Sequence, residues 1–181
     1  MPKPKNAFYV DVTRCIGCRA CEIACKEENQ VPEGIRWRQV RTVESESQGR
    51  PSFYFLSVAC NHCEDPICTK VCPTTAMHQR EDGVVLVDET KCVGCRYCEW
   101  ACPYGALHFN ANTGHMSKCT FCEHRQADGQ APACVEACPT EALQWGPFDD
   151  IIGRPGSTAE FGPLPDAEIT KPAIRFKPPR Q

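Results

Sequence analysis

Sixteen thiols could do chemistry in this chain of 181 residues, and their spacing sorts them into four quartets. Cys92, Cys95 and Cys98 recur at every third position, Cys102 follows four residues later, and Pro103 stands directly behind it. Cys15, Cys18, Cys21 and Cys25 repeat this spacing without the proline. Cys60, Cys63, Cys68 and Cys72 carry two extra residues before the third cysteine, and Pro73 follows. Cys119, Cys122, Cys134 and Cys138 carry eleven residues between the second and third, and Pro139 follows. No cysteine is left over for another purpose. A thiolate can be a nucleophile, a disulfide partner or a metal ligand, and the repetition selects among these.

Cysteine at about 9% of the chain is a content usual for disulfide scaffolds. Neighbours in a Cys-x-x-Cys run would compete for bridging partners, however, and Met1 to Asn6 lead into a strand-like stretch with no apolar core of an export signal. Zinc needs four sulfurs around one ion. A run at i, i+3 and i+6 instead wraps a loop around a larger object, and the displaced cysteine with its proline has no role that zinc supplies. The Cys92 quartet has the ligand spacing of a bacterial [4Fe–4S] motif. In two-cluster proteins of that kind the fourth cysteine of a run serves the other cluster, so four quartets imply two cross-ligated pairs. Three pairings are open, because the linkers of 19 residues (second to third quartet) and 16 residues (third to fourth) are both short.

Composition narrows the class further. Hydrophobic residues make up 41%, but that figure includes the 16 cysteines, so the aliphatic core is thin and something besides burial must hold the fold. The formal net charge is −3, and sixteen thiolates around four oxidised cores would add about −8 more. That balance argues against a nucleic-acid partner. The longest purely aliphatic run is Val84 to Val87, so no membrane span is expected.

The elements that must position the sulfurs are short. A strand is expected over 7–12, a helix-compatible stretch over 26–30, a strand over 35–43, a polar loop over 44–51 and a strand over 53–58. Residues 76–79 and 84–87 form a hairpin around Glu81 to Gly83, and 106–109 run into a turn at 110–114. Three quartets continue as Cys-Pro-x-x-Ala-apolar, ending at Met77, Leu107 and Leu143. The proline fixes φ and turns the chain away from the loop. Gly17 and Gly94 let backbone amides approach sulfur. Lys26 replaces that proline in the first quartet, so a helix is expected to run on there. Residues 147–181 hold seven prolines and no cysteine. An extended strap is expected, anchored by Ile151, Ile152, Phe161, Leu164, Ile169, Ile174 and Phe176.

Other candidates are weaker. His62, His78, His108, His115 and His124 lie in or near cysteine loops, but no quartet lacks a cysteine that a histidine would replace. Arg14, Lys91 and Lys118 directly precede three quartets and are expected to offset thiolate charge, while Trp37, Trp100 and Trp145 are expected to pack. Nothing else resembles catalytic apparatus.

With the quartets, the stretches Cys60-Asn61-His62-Cys63, Arg80 to Gly83, Val93 to Cys98 and Gly114 to Cys119 resemble the iron–sulfur B subunits of dimethyl sulfoxide reductases. Pro163-Leu164-Pro165, Thr170 to Pro172 and Lys177-Pro178 are similar to the C-terminal end of those subunits. The resemblance implies an α+β, loop-rich fold of two bacterial ferredoxin-like 2[4Fe–4S] modules related by pseudo-twofold symmetry, with an extended Pro-rich C-terminal tail. Its parts would be motif 1 at 1–35, connecting strands at 36–58, motif 2 at 59–82, motif 3 at 83–112, motif 4 at 113–146 and the tail at 147–181. Motif 1 would pair with motif 4, and motif 2 with motif 3. Cys15, Cys18, Cys21 and Cys138 would then hold one cluster, and Cys25, Cys119, Cys122 and Cys134 a second. Cys72, Cys92, Cys95 and Cys98 would hold a third, and Cys60, Cys63, Cys68 and Cys102 the fourth. Some relatives lose a cysteine and carry a [3Fe–4S] centre; with all sixteen present, four [4Fe–4S] clusters are expected here.

By the same resemblance the protein is a non-catalytic relay between a quinol-oxidising membrane anchor subunit and a molybdenum-cofactor catalytic subunit. The Cys15 cluster would face the molybdenum subunit and the Cys60 cluster the anchor. Co-export with a signal-bearing partner would place the complex on the periplasmic face of the membrane, the cytoplasmic face being the alternative. Polysulfide, tetrathionate and formate-linked complexes use similar relays.

Overall fold

The computed structural model describes residues 4–47 and 50–179. In sequence order the elements are β1 (Asn6–Asp11), α1 (Ala20–Glu28), β2 (Gln39–Ser47), β3 (Arg50–Val58), α2 (Ile67–Lys70), β4 (Met77–Gln79), β5 (Val85–Val87) and α3 (Tyr97–Ala101). There follow β6 (His108–Asn110), β7 (His115–Ser117), α4 (Glu123–Ala127), α5 (Ala133–Glu136), β8 (Leu143–Pro147), α6 (Phe148–Ile152) and β9 (Ile174–Lys177). Helices of four or five residues cannot stand alone in water, so these depend on what packs against them. Among the described residues no helix is long and apolar enough to cross a membrane.

The central strand is β1, where Ala7, Phe8, Tyr9 and Val10 are all buried. It pairs antiparallel with β8 and parallel with β9 in a sheet of order β8-β1-β9. Phe8, Val10 and Val12 face the main core with Leu56, Phe121, Leu143, Ile174 and Phe176. Ala7 and Tyr9 face the other way, against Phe148 and Ile151 of α6 and Ala173. A strand covered on both faces reads as an unbroken apolar run, and burial of a side chain the size of Phe8 or Val10 contributes about 1.5–3 kcal/mol.

The segment after Pro147 lies on this sheet. Ile151, Ile174 and Phe176 are buried, and Thr158 exchanges backbone hydrogen bonds with Phe176 at 2.8 and 2.7 Å. Two details differ from an extended strap. Residues 148–152 form a helical turn, entered through Pro147 at φ −51°, close to the φ that the proline ring fixes. Ile169 is not an anchor; it is 49% exposed.

Residues 44–47 and 50–51 are strand rather than loop. β2 and β3 form one hairpin, with Gln39 opposite Val58 and Glu46 opposite Pro51. This two-stranded ribbon is solvated along its outer half, so polar residues there carry no burial signal and resemble a loop. A proline is tolerated because the strand has a free edge. The preceding strand also begins at Gln39 rather than at residue 35. Residues 48–49, within the expected loop, lie outside the described residues.

The sheet and helices also decide which quartets meet. β1 leads into the first quartet and β8 leaves the fourth, so their pairing joins those two ends, and α1 packs against α5. α2 of the second quartet packs against α3 of the third. The hairpins β4–β5 and β6–β7 are the links from the second quartet to the third and from the third to the fourth.

Candidate metal centres

Each quartet begins with the same backbone device. The residue before the second cysteine is left-handed in all four: Gly17 at φ 71°, His62 at 43°, Gly94 at 66° and Phe121 at 61°. A left-handed residue in such a turn curls successive N–H groups into a concavity that suits anionic sulfur, and at the fourth quartet Cys122 itself is left-handed as well, at φ 49°. A Cβ on Gly17 would sit 2.6 Å from the Phe55 ring, and one on Gly94 would collide with the Gly114 carbonyl. His62 and Phe121 bear strain that glycine avoids, and they lock each other, ring centroids 5.1 Å apart at 85°. Lys26 behaves as its sequence position suggests: α1 runs through Cys25 to Glu28, and the Lys26 ammonium donates to the Pro32 carbonyl at 2.5 Å.

All sixteen cysteines are free thiols. Cys15, Cys18, Cys21 and Cys138 line one hollow. Cys60, Cys63, Cys68 and Cys102 line a second, and Cys72, Cys92, Cys95 and Cys98 a third. The remaining four are buried: Cys25 is within electrostatic reach of Cys134, Cys122 and Cys21, and Cys119 of Cys25 and Cys60. The Asn29 amide reaches Cys122 Sγ at 3.7 Å and Cys25 Sγ at 4.0 Å. Among the described residues no three His, Cys, Asp or Glu side chains converge as a single ion requires. The sulfurs instead surround hollows, a donor set that fits a larger inorganic core with iron at its corners.

The sets also form a series. Cys21 and Cys25 are one helical turn apart on α1, and Cys60 shares a buried cluster with Cys119. Cys98 and Cys102 are one turn apart at α3. The order is therefore the Cys15 set, the Cys25 set, the Cys60 set and the Cys92 set. Cys60 lies beside Cys119, which puts the Cys60 set next to the Cys25 set and leaves the Cys92 set at the far end of the series. At both ends the residue after the first cysteine is apolar and exposed, Ile16 at 60% and Val93 at 65%.

Burial pushes the thiols of Cys25 and Cys63 up to about 12 and Cys119 well above its ordinary value. Protein alone disfavours thiolates there, and coordination to iron would deprotonate them. Cys72 and Cys138 go the other way. Burial raises them, but hydrogen bonds outweigh it, led by the N–H of Met77 at 3.3 Å from Cys72 and of Leu143 at 3.5 Å from Cys138. Those donors are the last residues of the Cys-Pro-x-x-Ala-apolar repeats, whose fourth position is left-handed: Thr75, Gly105 and Glu141.

The basic residues divide. Lys118 is buried and donates to the carbonyls of Val85 and of Cys119 (2.7 Å for the latter), within electrostatic reach of Cys68 and Cys119. Arg14 and Lys91 do not face sulfur; they pair at the surface with Glu141 at 3.2 Å and Asp88 at 2.9 Å. Trp37 packs and donates to Ser117 Oγ at 3.2 Å, and Trp145 packs against the main core. Trp100 departs from expectation: it is 73% exposed beside Tyr97. His62 is buried, its Nδ1 accepting from the Val85 N–H at 3.1 Å, and burial holds it well below 6.5, so it is neutral. His115 contacts the Cys92 carbonyl at 2.9 Å, and His124 contacts Glu28 at 2.7 Å. Sequence reasoning missed Arg38, which is 1% exposed among Cys21, Cys25, Cys119 and Cys134.

Two family models of a 4Fe-4S dicluster domain match the protein, one over residues 51–147 and one over 14–76. The B component of the anaerobic dimethyl sulfoxide reductase of Escherichia coli (strain K12) is 48% identical over 179 residues, covering 94% of this protein and 87% of the relative. The thiosulfate reductase electron transfer subunit of Salmonella typhi is 48% identical over 143 residues, covering 77% and 74%. The B component of the tetrathionate reductase of Salmonella typhimurium (strain LT2) is 45% identical over 155 residues, covering 84% and 62%.

Proposed function

Because this protein belongs to the family of dimethyl sulfoxide reductase iron–sulfur subunits, we propose that its sixteen cysteines hold four [4Fe–4S] clusters in series between two partners. The cross-ligated sets are Cys15, Cys18, Cys21, Cys138; Cys25, Cys119, Cys122, Cys134; Cys60, Cys63, Cys68, Cys102; and Cys72, Cys92, Cys95, Cys98. One observation carries the reading: the hollows gather three sulfurs of one quartet with the fourth sulfur of another. Such clusters supply one-electron chemistry without bond rearrangement. The protein is an electron-transfer subunit, and its residues do the rest. Left-handed loops aim N–H groups at sulfur, Lys118 and Arg38 place cations inside, and the apolar core keeps water away.

The partners of this reading are a molybdenum-cofactor catalytic subunit and a quinol-oxidising membrane anchor, with the complex held at the membrane on its periplasmic face. The reduced substrate is dimethyl sulfoxide or a similar acceptor. Thiosulfate and tetrathionate relatives support the same relay in a sulfur-oxyanion complex as the second reading. Co-expression with genomic neighbours and purification through this protein tests the assignment. A brown complex containing molybdenum, its clusters reduced by a quinol analogue and reoxidised by dimethyl sulfoxide, is expected. A protein that purifies alone, or clusters that quinol cannot reduce, contradicts it.

A further inference from the structure

Arg38 is the largest of the fully buried side chains, on the connection between α1 and β2. Its Nη1 donates to Ser57 Oγ at 3.1 Å, and its guanidinium carbon lies 4.7 Å from the centre of the Phe8 ring. Its Nε and Nη2 have no hydrogen-bond partner, and among the described residues it forms no ion pair with a carboxylate. A buried cation without a counter-charge is strongly disfavoured. The charged groups around it are sulfurs: Cys134, Cys21, Cys119 and Cys25. Three of these four belong to the Cys25 set, and Cys21 belongs to the neighbouring one.

We infer that Arg38 is a built-in counter-ion and hydrogen-bond donor for the centre of Cys25, Cys119, Cys122 and Cys134, and that it raises that centre's reduction potential. The inference rests on the proposed cluster assignment. Four thiolates around an oxidised core leave about −2 on each cluster, and reduction adds one more negative charge. A fixed cation beside these sulfurs, in a dry interior, stabilises the reduced form more than the oxidised one. Nε and Nη2 have no close hydrogen-bond partner, and the guanidinium already acts as a donor toward the Cys134 thiolate, so its remaining N–H groups suit the sulfur of a bound core. Arginine suits this position better than lysine, being weakly hydrated and presenting its donors in a rigid plane. Lys118, at the next junction, differs in that carbonyls already take its protons. The second centre of the series therefore has its own cation, placed where electrons pass between α1 and the Cys60 set.

The test is a redox titration followed by electron paramagnetic resonance on the intact complex, comparing wild type with R38Q and R38K, alongside iron and sulfide analysis. R38Q is expected to retain all four centres and to shift the midpoint of the Cys25 centre downward. A smaller fall is expected for the Cys15 centre, and none for the other two. R38K is expected to shift the same centre in the same direction by less, because charge remains while the donor plane is lost. If R38Q loses iron, R38K alone decides. Unshifted midpoints in a fully loaded variant, an equal shift of all four centres, or loss of iron from both variants overturns the inference. Absence of iron in the wild type would sink the cluster assignment instead, so the two failures are distinct.

Discussion

The backbone N–H of Met77 points at Sγ of Cys72 across 3.3 Å, five residues along the sequence. Leu143 stands in the same relation to Cys138 at 3.5 Å. The proline after each fourth cysteine and the left-handed residue three positions after that cysteine turn the backbone so that this amide faces sulfur. The Cys-Pro-x-x-Ala-apolar repeat is thus a hydrogen-bonding device as well as a helix stop.

That device has an energetic signature. Gly105 takes the left-handed position at φ 61°, with nothing within 4 Å of an added Cβ, whereas Thr75 takes it at φ 56°. Gly105→Thr is expected to cost about 1–2 kcal/mol from backbone strain alone. Thr75→Gly should be neutral or stabilising by up to about 1 kcal/mol. Denaturant midpoints of the cluster-loaded protein check both, and equal effects of the two exchanges would refute the argument.

Cross-ligation makes a paired expectation for single cysteines. Cys102 follows α3 in the Cys92 quartet, but its sulfur lines the hollow of Cys60, Cys63 and Cys68. Cys102→Ser should convert or remove the centre of the Cys60 set and leave that of the Cys92 set intact. Resonance spectra in which the Cys92 centre alone is lost would show that each quartet serves itself.

The C-terminal strand is clamped through Asp11, whose carboxylate meets the Lys177 ammonium at 3.1 Å. Burial raises the Asp11 pKa, but hydrogen bonds from Thr13 and Lys177 outweigh it and hold it below the ordinary 3.8. A depressed carboxylate contributes stability that is present above its unfolded pKa and lost as pH falls through the folded one. Lys177→Ala should cost about 0.5–1 kcal/mol at neutral pH, because the lysine is partly solvated. The gap between wild type and D11N should be constant from pH 8 to about 5 and close below about 4. A gap that widens on acidification would contradict this sign.

Much of the site was legible because metal ligation is written in spacing. The quartets, the hairpin of β4 and β5, and the helix running past Lys26 all follow from local sequence. What stayed hidden depends on distant parts of the molecule. Arg38 sits in Arg36-Trp37-Arg38-Gln39, which looks like a solvated stretch. Its burial comes from sulfurs on α1, at Cys119 and on α5. The left-handed His62 and Phe121 are held by each other across 59 positions of sequence, so neither one signals its backbone alone. Residues 44–47 and 50–51 misread as a loop because a solvated ribbon lacks an apolar face. Trp100 misread as packing because a large aromatic residue carries no local mark of exposure.

The most direct measurement is iron, acid-labile sulfide and zinc per polypeptide in the purified complex. Four centres of four irons require about sixteen atoms each of iron and sulfide and no stoichiometric zinc. A colourless protein with zinc, or iron and sulfide near eight of each, would contradict the series of four centres on which the rest depends.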